Sequence, residues 1–366
     1  MAVIGTRGYP SYYGGFETAV RRLAPYLADR GWRVRVYGRP GSHLRPDKGA
    51  DPRIDSVMTK GIDSRSLSTL TYGLFSVLHA VIHKPDVALV MNVANGYWLP
   101  LLKLRGIPTV VNVDGIEWER DKWSRLGKAV FRTGARFTAW FADQLVFDAL
   151  AIGDYWQANF GRTGVFIPYG GDPASAPGRE PEFTPGGYVL LVARFVPENS
   201  VGIFLEAAPS IIERNDVEVV LVGSAPAGDP LQNLADSVAA THPRVHLLGH
   251  ISDDERLFDL WRNAGAYFHG HTVGGTNPAL VQAMALGART VARGTVYNRE
   301  VLGEAGTYCT EDVDSVIETV GAVLTDERDL SVMAIERARA EYTWEIVCAR
   351  YEETIAALQR LKCGNE

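Results

Sequence analysis

Arg194, Asp114 and two pairs of adjacent glycines, Gly14-Gly15 and Gly274-Gly275, are the residues of this 366-residue sequence whose types and settings could do chemistry. Each glycine pair stands just ahead of a helical pattern. Adjacent glycines let a ligand approach the backbone closely, and the free N–H groups at a helix start favour a phosphate. In "GTRGYPSYYGGFETAV" a short strand leads through a long loop into a helix with Phe16, Val20, Leu23, Ala24 and Leu27 on one face. In "FHGHTVGGTNPALVQAMALGA" Asn277 is a favoured N-cap, Pro278 suits the first helical position, and Gly287 suits the position past the last turn. Thr276 and Asn277 add side-chain donors there. A tight turn in a packed strand–helix unit would account for either pair alone; having one in each half of the chain sets both apart.

Arg194 follows the strand-like "YVLLVA", where a guanidinium suits a diphosphate bidentately, although a loop arginine is also commonly just solvated. Asp114 closes "VVNVDG" in the corresponding place of the first half, with a turn or N-cap role as the alternative. His269 and His271 flank Gly270 at a strand end and are expected on opposite faces. No acid or cysteine beside them completes a metal site, so no metal is expected. The Gly5 to Gly8 spacing is not that of the dinucleotide fingerprint, which argues against a nicotinamide enzyme.

The elements that must position these residues alternate. "AVIG", "RVRVYG", "DVALVMNV", "TVVNVDG", "QLVF" and "GVFIPYG" are Val/Ile-rich strand patterns separated by helical ones. After the Pro/Gly-rich "PASAPGREPEFTPGG" the rhythm restarts with "YVLLVARF", "VEVVLVGS", "VHLLGH", "AYFHGH" and "RTVARG". Two βαβ series predict an α/β protein with two doubly wound parallel sheets, one over 1–171 and one over 172–343. Ligands of such sheets bind beyond the carboxyl ends of strands, where Arg194, Asp114 and the two glycine loops fall. Trp344 to Lys362 reads as a last helix, and periodicity does not say which domain it joins.

With 46% hydrophobic residues the chain can build two cores. Cys309, Cys348 and Cys363 are scattered and odd in number, which predicts neither disulfides nor zinc and suits a reducing compartment. The start has no secretory pattern, so a cytoplasmic location is expected. "SLSTLTYGLFSVLHAVIH" carries too many polar residues for a bilayer span and predicts a buried helix. Residues 1–171 hold 22 Lys and Arg against 14 Asp and Glu, the remainder 15 against 29, so the two halves have unlike surfaces. In "SRLGKAVFRTGARFTAWF", Arg125, Lys128, Arg132 and Arg136 share one helical face, and Leu126, Val130, Phe137 and Phe141 form another stripe. Such a helix either rests on an anionic membrane or is a core helix with a solvated basic face. No nucleic-acid partner is expected.

"GTRGYPSYYGGFETAV", "VNVDGIEWERDKW", "IPYGGD", "ARFVPEN", "FHGHTVGGTNPALVQAM" and "YNREV" occur in an order that resembles the retaining glycosyltransferases of family four, specifically the rhamnosyltransferase-like subgroup, over nearly the whole chain. The resemblance implies the GT-B fold: an N-terminal acceptor domain over 1–171, onto which the helix of 344–366 packs back, and a C-terminal donor domain over 172–343. It implies a nucleoside-diphosphate sugar as donor, with no cofactor and no metal. Arg194 is the implied cation for the donor diphosphate, with Gly14, Gly15, Glu198, Asn199, Gly223, His269, Gly274, Gly275, Thr276, Asn277 and Gln282 as further donor contacts. Tyr13, Glu117 and Trp118 are implied acceptor contacts, and Asp114 stands where many members have a catalytic-pocket histidine. The sequence departs from the broad family at Asn199, where a lysine is usual, at Gly274, where a glutamate is usual, and at Gln282, where the glutamate that accepts from the ribose hydroxyls is usual. Loss of that carboxylate points to a deoxyribose donor such as dTDP-rhamnose. The implied activity is rhamnosyl transfer to a glycan or polyprenyl-linked acceptor in bacterial surface polysaccharide synthesis, with peripheral contact to the inner face of the membrane. A catalytically silent nucleotide-sugar-binding protein and a nucleotide-sugar epimerase are the alternatives.

Overall fold

The computed structural model describes residues 1–11, 14–41, 50–63, 67–120, 123–173 and 182–363. The chain divides into two compact units, Met1–Tyr169 with Trp344–Glu366, and Gly170–Thr343.

The first unit runs β1 (Ala2–Ile4), α1 (Gly15–Asp29), β2 (Arg35–Gly38), β3 (Asp55–Met58), α2 (Ser68–His83), β4 (Ala88–Met91), α3 (Leu99–Leu104), β5 (Thr109–Asn112), α4 (Arg125–Phe141), β6 (Gln144–Phe147), α5 (Leu150–Phe160) and β7 (Val165–Phe166). Its strands form a parallel sheet in the order β3-β2-β1-β4-β5-β6-β7. The central strands are buried on both faces, which is why they read as unbroken apolar runs such as "ALVM".

The second unit runs β8 (Tyr188–Val192), α6 (Val201–Asn215), β9 (Glu218–Val222), α7 (Pro230–Thr241), β10 (Val245–Gly249), α8 (Asp254–Asn263), β11 (Ala266–His269), α9 (Pro278–Ala285), β12 (Thr290–Arg293), α10 (Val296–Leu302), β13 (Gly306–Cys309), α11 (Val313–Thr325) and α12 (Leu330–Glu341). Its parallel sheet has the order β10-β9-β8-β11-β12-β13, with Leu190 of β8 level with Tyr267 of β11. One core, including Phe204, Leu205 and Val316, covers one face, and a second, including Leu280, Met284 and Leu302, covers the other. The order reverses between β1 and β4 in the first sheet and between β8 and β11 in the second, the places where a doubly wound sheet opens a crevice.

The last helix, α13 (Trp344–Cys363), belongs to the first unit. Val347, Cys348, Tyr351 and Ile355 are buried in its core with Val3, Leu23 and Val110. Glu352 of α13 accepts from Trp32 Nε1 at 3.1 Å and pairs with Arg30 at 3.1 Å.

Two helices differ from their sequence patterns. In α2, expected to be buried, Tyr72, Ser76, Val77 and Ala80 face the core, but Phe75, Leu78 and Ile82 stand exposed. In α4 the core face is made of Gly134, Ala135, Thr138 and Ala139, not of the large apolar residues. A Cβ on Gly134 would lie 2.6 Å from Val93 O, and one on Gly96 2.2 Å from Gly134 O, so small residues are what allow this close backbone crossing. Phe137 packs to the side against Tyr97, Trp140 and Phe141, and Leu126 is exposed.

Candidate functional site

In the second unit the loops after β8 and β11 are bonded to each other. Thr272 donates to Glu198 O through both its N–H and its Oγ1, each at 3.0 Å, and Ser200 Oγ donates to Gly270 O at 2.8 Å. Arg293 Nη1 reaches Ser200 Oγ at 2.5 Å, while Asn298 Nδ2 holds His271 O and Arg293 O. A Cβ on Gly270 would sit 2.0 Å from Asn199 O, and one on Gly223, at φ +132°, 1.8 Å from Ala193 O, so the backbone is packed too tightly here for any side chain. Asn199 is buried, and its Nδ2 donates to Arg194 O at 2.8 Å. It fixes the backbone of Arg194 instead of offering a charge to a ligand. The Arg194 side chain itself is exposed and carries no ion pair or hydrogen bond among the described residues.

Beyond β11 the chain turns through Gly274, at φ +95° in open space, to α9. Asn277 caps that helix by accepting from Ala279 N at 2.9 Å. Thr276 is buried beside it. His269 and His271 are not on opposite faces: residues two apart in an extended chain share a face, and the rings stack with centroids 5.0 Å apart and planes at 11°. Burial, then the neighbouring His271, hold the His269 pKa well below the ordinary imidazole range, so the ring is neutral. Its Nδ1 lies 3.0 Å from Tyr267 Oη.

Gln282, expected at the nucleotide ribose, is occupied differently. Its Oε1 accepts from Asp172 N at 2.9 Å and its Nε2 donates to Asp172 O at 3.0 Å. Only an amide can satisfy both backbone groups of one residue in this way; a carboxylate can accept but not donate. Gly171 next to it has no room for a side chain, since a Cβ would lie 2.9 Å from both Val281 O and Ala285 Cβ.

In the first unit two non-glycine residues at neighbouring strand ends have left-handed backbones, Asn92 at φ +72° after β4 and Asp114 at φ +61° after β5. Strain of this kind costs about 1–3 kcal/mol and persists where the surroundings enforce it. Here they do: Asn112 Oδ1 accepts from Asp114 N at 2.9 Å, Asn112 Nδ2 donates to Tyr351 Oη at 2.7 Å, and Asn92 Nδ2 lies 3.4 Å from Asp114 Oδ2. Glu17, in the first turn of α1, is buried and accepts from Arg7 N at 3.0 Å. Its other oxygen faces Gly14, 3.3 Å from where a Cβ would be. A carboxylate therefore already stands at the helix start expected to attract a phosphate, and Gly14-Gly15 is better suited to hydroxyl groups. Burial first, then the charges of Asp114 and Asp148, hold the Tyr169 phenol well above its usual pKa.

Glu117 and Trp118 are turned inward. Glu117 accepts from Arg120 Nη1 at 2.6 Å and from Trp123 Nε1 at 2.7 Å, and Trp118 donates to Tyr155 Oη at 3.0 Å while packing on Trp156 and Phe160. They shape the segment after Asp114 rather than presenting side chains to an acceptor. Tyr13 lies outside the described residues. Asn92 and Glu17 were not among the expected site residues. Their signals are an asparagine closing a strand, tolerant of a left-handed backbone, and an acid in the first turn after a glycine pair.

Two parallel-sheet units of this topology, with candidate ligand loops at the carboxyl ends of their strands, define a GT-B protein. Solved structures share the fold. A sucrose-phosphate synthase from Thermosynechococcus elongatus has a TM-score of 0.77 at 18% identity, covering 98% of each chain. Anabaena HepE in complex with UDP has a TM-score of 0.73 at 17% identity, covering 97% of this chain and 99% of its own. The pneumococcal O-GlcNAc transferase GtfA, in complex with UDP and GlcNAc, has a TM-score of 0.60 at 14% identity, covering 78% of this chain and 60% of its own. No curated protein matches the chain. Residues 14–170 match the glycosyl transferase 4-like domain and residues 186–326 the glycosyl transferases group 1 family. The chain belongs to the group 1, family-four type of glycosyltransferases.

Proposed function

We propose that the second unit binds a nucleoside-diphosphate sugar by its diphosphate, and that the protein transfers the sugar with retention of configuration to a glycan or polyprenyl-linked acceptor in bacterial surface polysaccharide synthesis. The observation that carries this is the exposed, unengaged guanidinium of Arg194 on a loop bonded to the Gly270–Thr272 segment that leads to α9. A cation and a helix start can stabilise a departing diphosphate without a metal. In a retaining transfer the leaving phosphate oxygen takes the acceptor proton on the same face, so no protein nucleophile is required. Asp114, held by Asn112 and facing Asn92, is suited to accept from a hydroxyl of the sugar or of the acceptor, and Glu17 to do the same beside Gly14.

The donor favoured by position 282 is a deoxyribonucleotide such as dTDP-rhamnose. No carboxylate is present there, and the amide is engaged with Asp172, so a ribose 2′-hydroxyl would gain little. HepE, whose structures hold UDP and UDP-glucose, supports the competing uridine donor. Calorimetric titration of dTDP, UDP and GDP into the wild type and Arg194→Ala, without metal, decides between them. The expected result is a preference for dTDP, weakened at least tenfold in the variant. Equal binding by the variant would remove Arg194 from the site, and preference for UDP would overturn the deoxyribose assignment.

A further inference from the structure

Ile82, Leu104 and Trp140 are among the most exposed apolar side chains of the first unit, at 74%, 89% and 66%. Each sits in the last turn of its helix: α2, α3 and α4. These helices pack side by side, α2 on α3 and α3 on α4. Their ends are tied together. Arg105 Nε donates to Val81 O at 3.1 Å, joining the ends of α2 and α3, and Lys103 Nζ lies 3.5 Å from Asp143 Oδ1, joining α3 to the turn just after α4. The three side chains therefore lie along one edge of the unit. Each helix leads into the start of a strand, so this is the edge where strands begin, opposite the strand ends that carry Asn92 and Asp114. On α2 the apolar stripe extends inward from the edge through Leu78 and Phe75, also exposed.

Exposed cations accompany the apolar row. Lys84, Lys103, Arg105 and Arg136 all stand here, and Lys84 and Arg136 have no ion pair among the described residues. Acids alongside include Asp86, Asp143, which pairs with Lys103, and Asp55, which pairs with Arg35. Arg136 and Trp140, with Arg132, Tyr155 and Asn159, line a hollow of about 280 Å³, large enough for a phosphate group and lined by donors.

We propose that this edge docks on the surface of an anionic lipid bilayer, with Ile82, Leu104 and Trp140 entering the interface and Lys84, Lys103, Arg105 and Arg136 meeting lipid phosphates. Aliphatic and indole side chains ringed by Lys and Arg are the composition of an interfacial contact. No helix among the described residues is long and apolar enough to cross a membrane, so the contact is peripheral. A second copy of the chain fits less well: in a two-fold pairing the same patch meets itself, and the cations would face cations. The inference concerns the edge alone and does not rest on the donor assignment.

The test is co-sedimentation with vesicles of phosphatidylglycerol mixed into phosphatidylcholine, against phosphatidylcholine alone. The wild type is expected to bind the anionic vesicles, and to be released by salt. Ile82→Ser/Leu104→Ser/Trp140→Ser is expected to bind at least tenfold more weakly with an unchanged melting curve. Lys84→Glu/Arg136→Glu, which keeps the apolar row, should also weaken binding tenfold or more, so the outcome does not hang on one variant's folding. Arg125→Glu/Lys128→Glu, at the start of α4 and away from that hollow, should retain most of it. The proposal is overturned if the wild type ignores anionic vesicles, or if the serine variant binds as the wild type does. A concentration-dependent dimer that the serine variant abolishes, with no vesicle binding, would assign the edge to self-association instead.

Discussion

Gln282 spends its one amide on the two backbone groups of Asp172, 110 residues away in sequence. Gln282→Glu keeps the size and the acceptor but leaves Asp172 O without its donor. The expected loss is about 1 kcal/mol of unfolding free energy, the net worth of one partly buried hydrogen bond, read by denaturant titration. A variant as stable as the wild type would show that the amide is not a clamp. Sequence exposes the departure at this position but not its purpose, because the partner lies far along the chain and is a backbone. Asn199 is the same case: the missing lysine is visible, and its bond to Arg194 O is not. What was legible at this scale is local. Asn277, Pro278 and Gly287 mark their helix because a cap and a stop act on the nearest backbone groups.

At the scale of elements, strands declared themselves through unbroken Val/Ile runs, since parallel strands are covered on both faces. Helix faces were less readable. α4 turns its small residues to the core, a choice made by the glycine-lined crossing with residues 93–96, while α2 leaves an apolar row uncovered. Periodicity finds a face; it does not say whether anything covers it. The bonded loops after β8 and β11 act as one element, and Gly270 is the position that lets them meet. Gly270→Ala would drive a methyl to 2.0 Å from Asn199 O. We expect a destabilisation of about 3 kcal/mol and weaker nucleotide binding as the loops part. Gly202→Ala in α6, whose nearest foreign atom would be 3.5 Å away, serves as the control and should be neutral or slightly stabilising. Equal behaviour of the two variants would show that the loops are not coupled through this contact.

For the whole molecule, the two-sheet architecture followed from the strand–helix rhythm repeated on either side of a Pro/Gly-rich stretch. Periodicity in Trp344–Cys363 marks a helix without naming its neighbour, and the neighbour is the core made by residues from the other end of the chain. A chain ending at Thr343 should leave Val3, Leu23 and Val110 without the cover of Val347, Tyr351 and Ile355. In hydrogen exchange we expect β1, β4 and β5 to lose protection while β8, β9 and β11 keep theirs. Protection retained in both sheets would mean that α13 is an accessory to the first unit and not part of its core.

The return of α13 also sets an order of events during synthesis. Residues 1–169 leave the ribosome first, yet the helix that closes their core is made last, after all of Gly170–Thr343. The first unit must wait with Asn112 lacking its Tyr351 partner and an apolar face open, while the second has all its residues and can fold at once. The half made first is therefore the half finished last, and it is the nascent first unit that needs protection from aggregation.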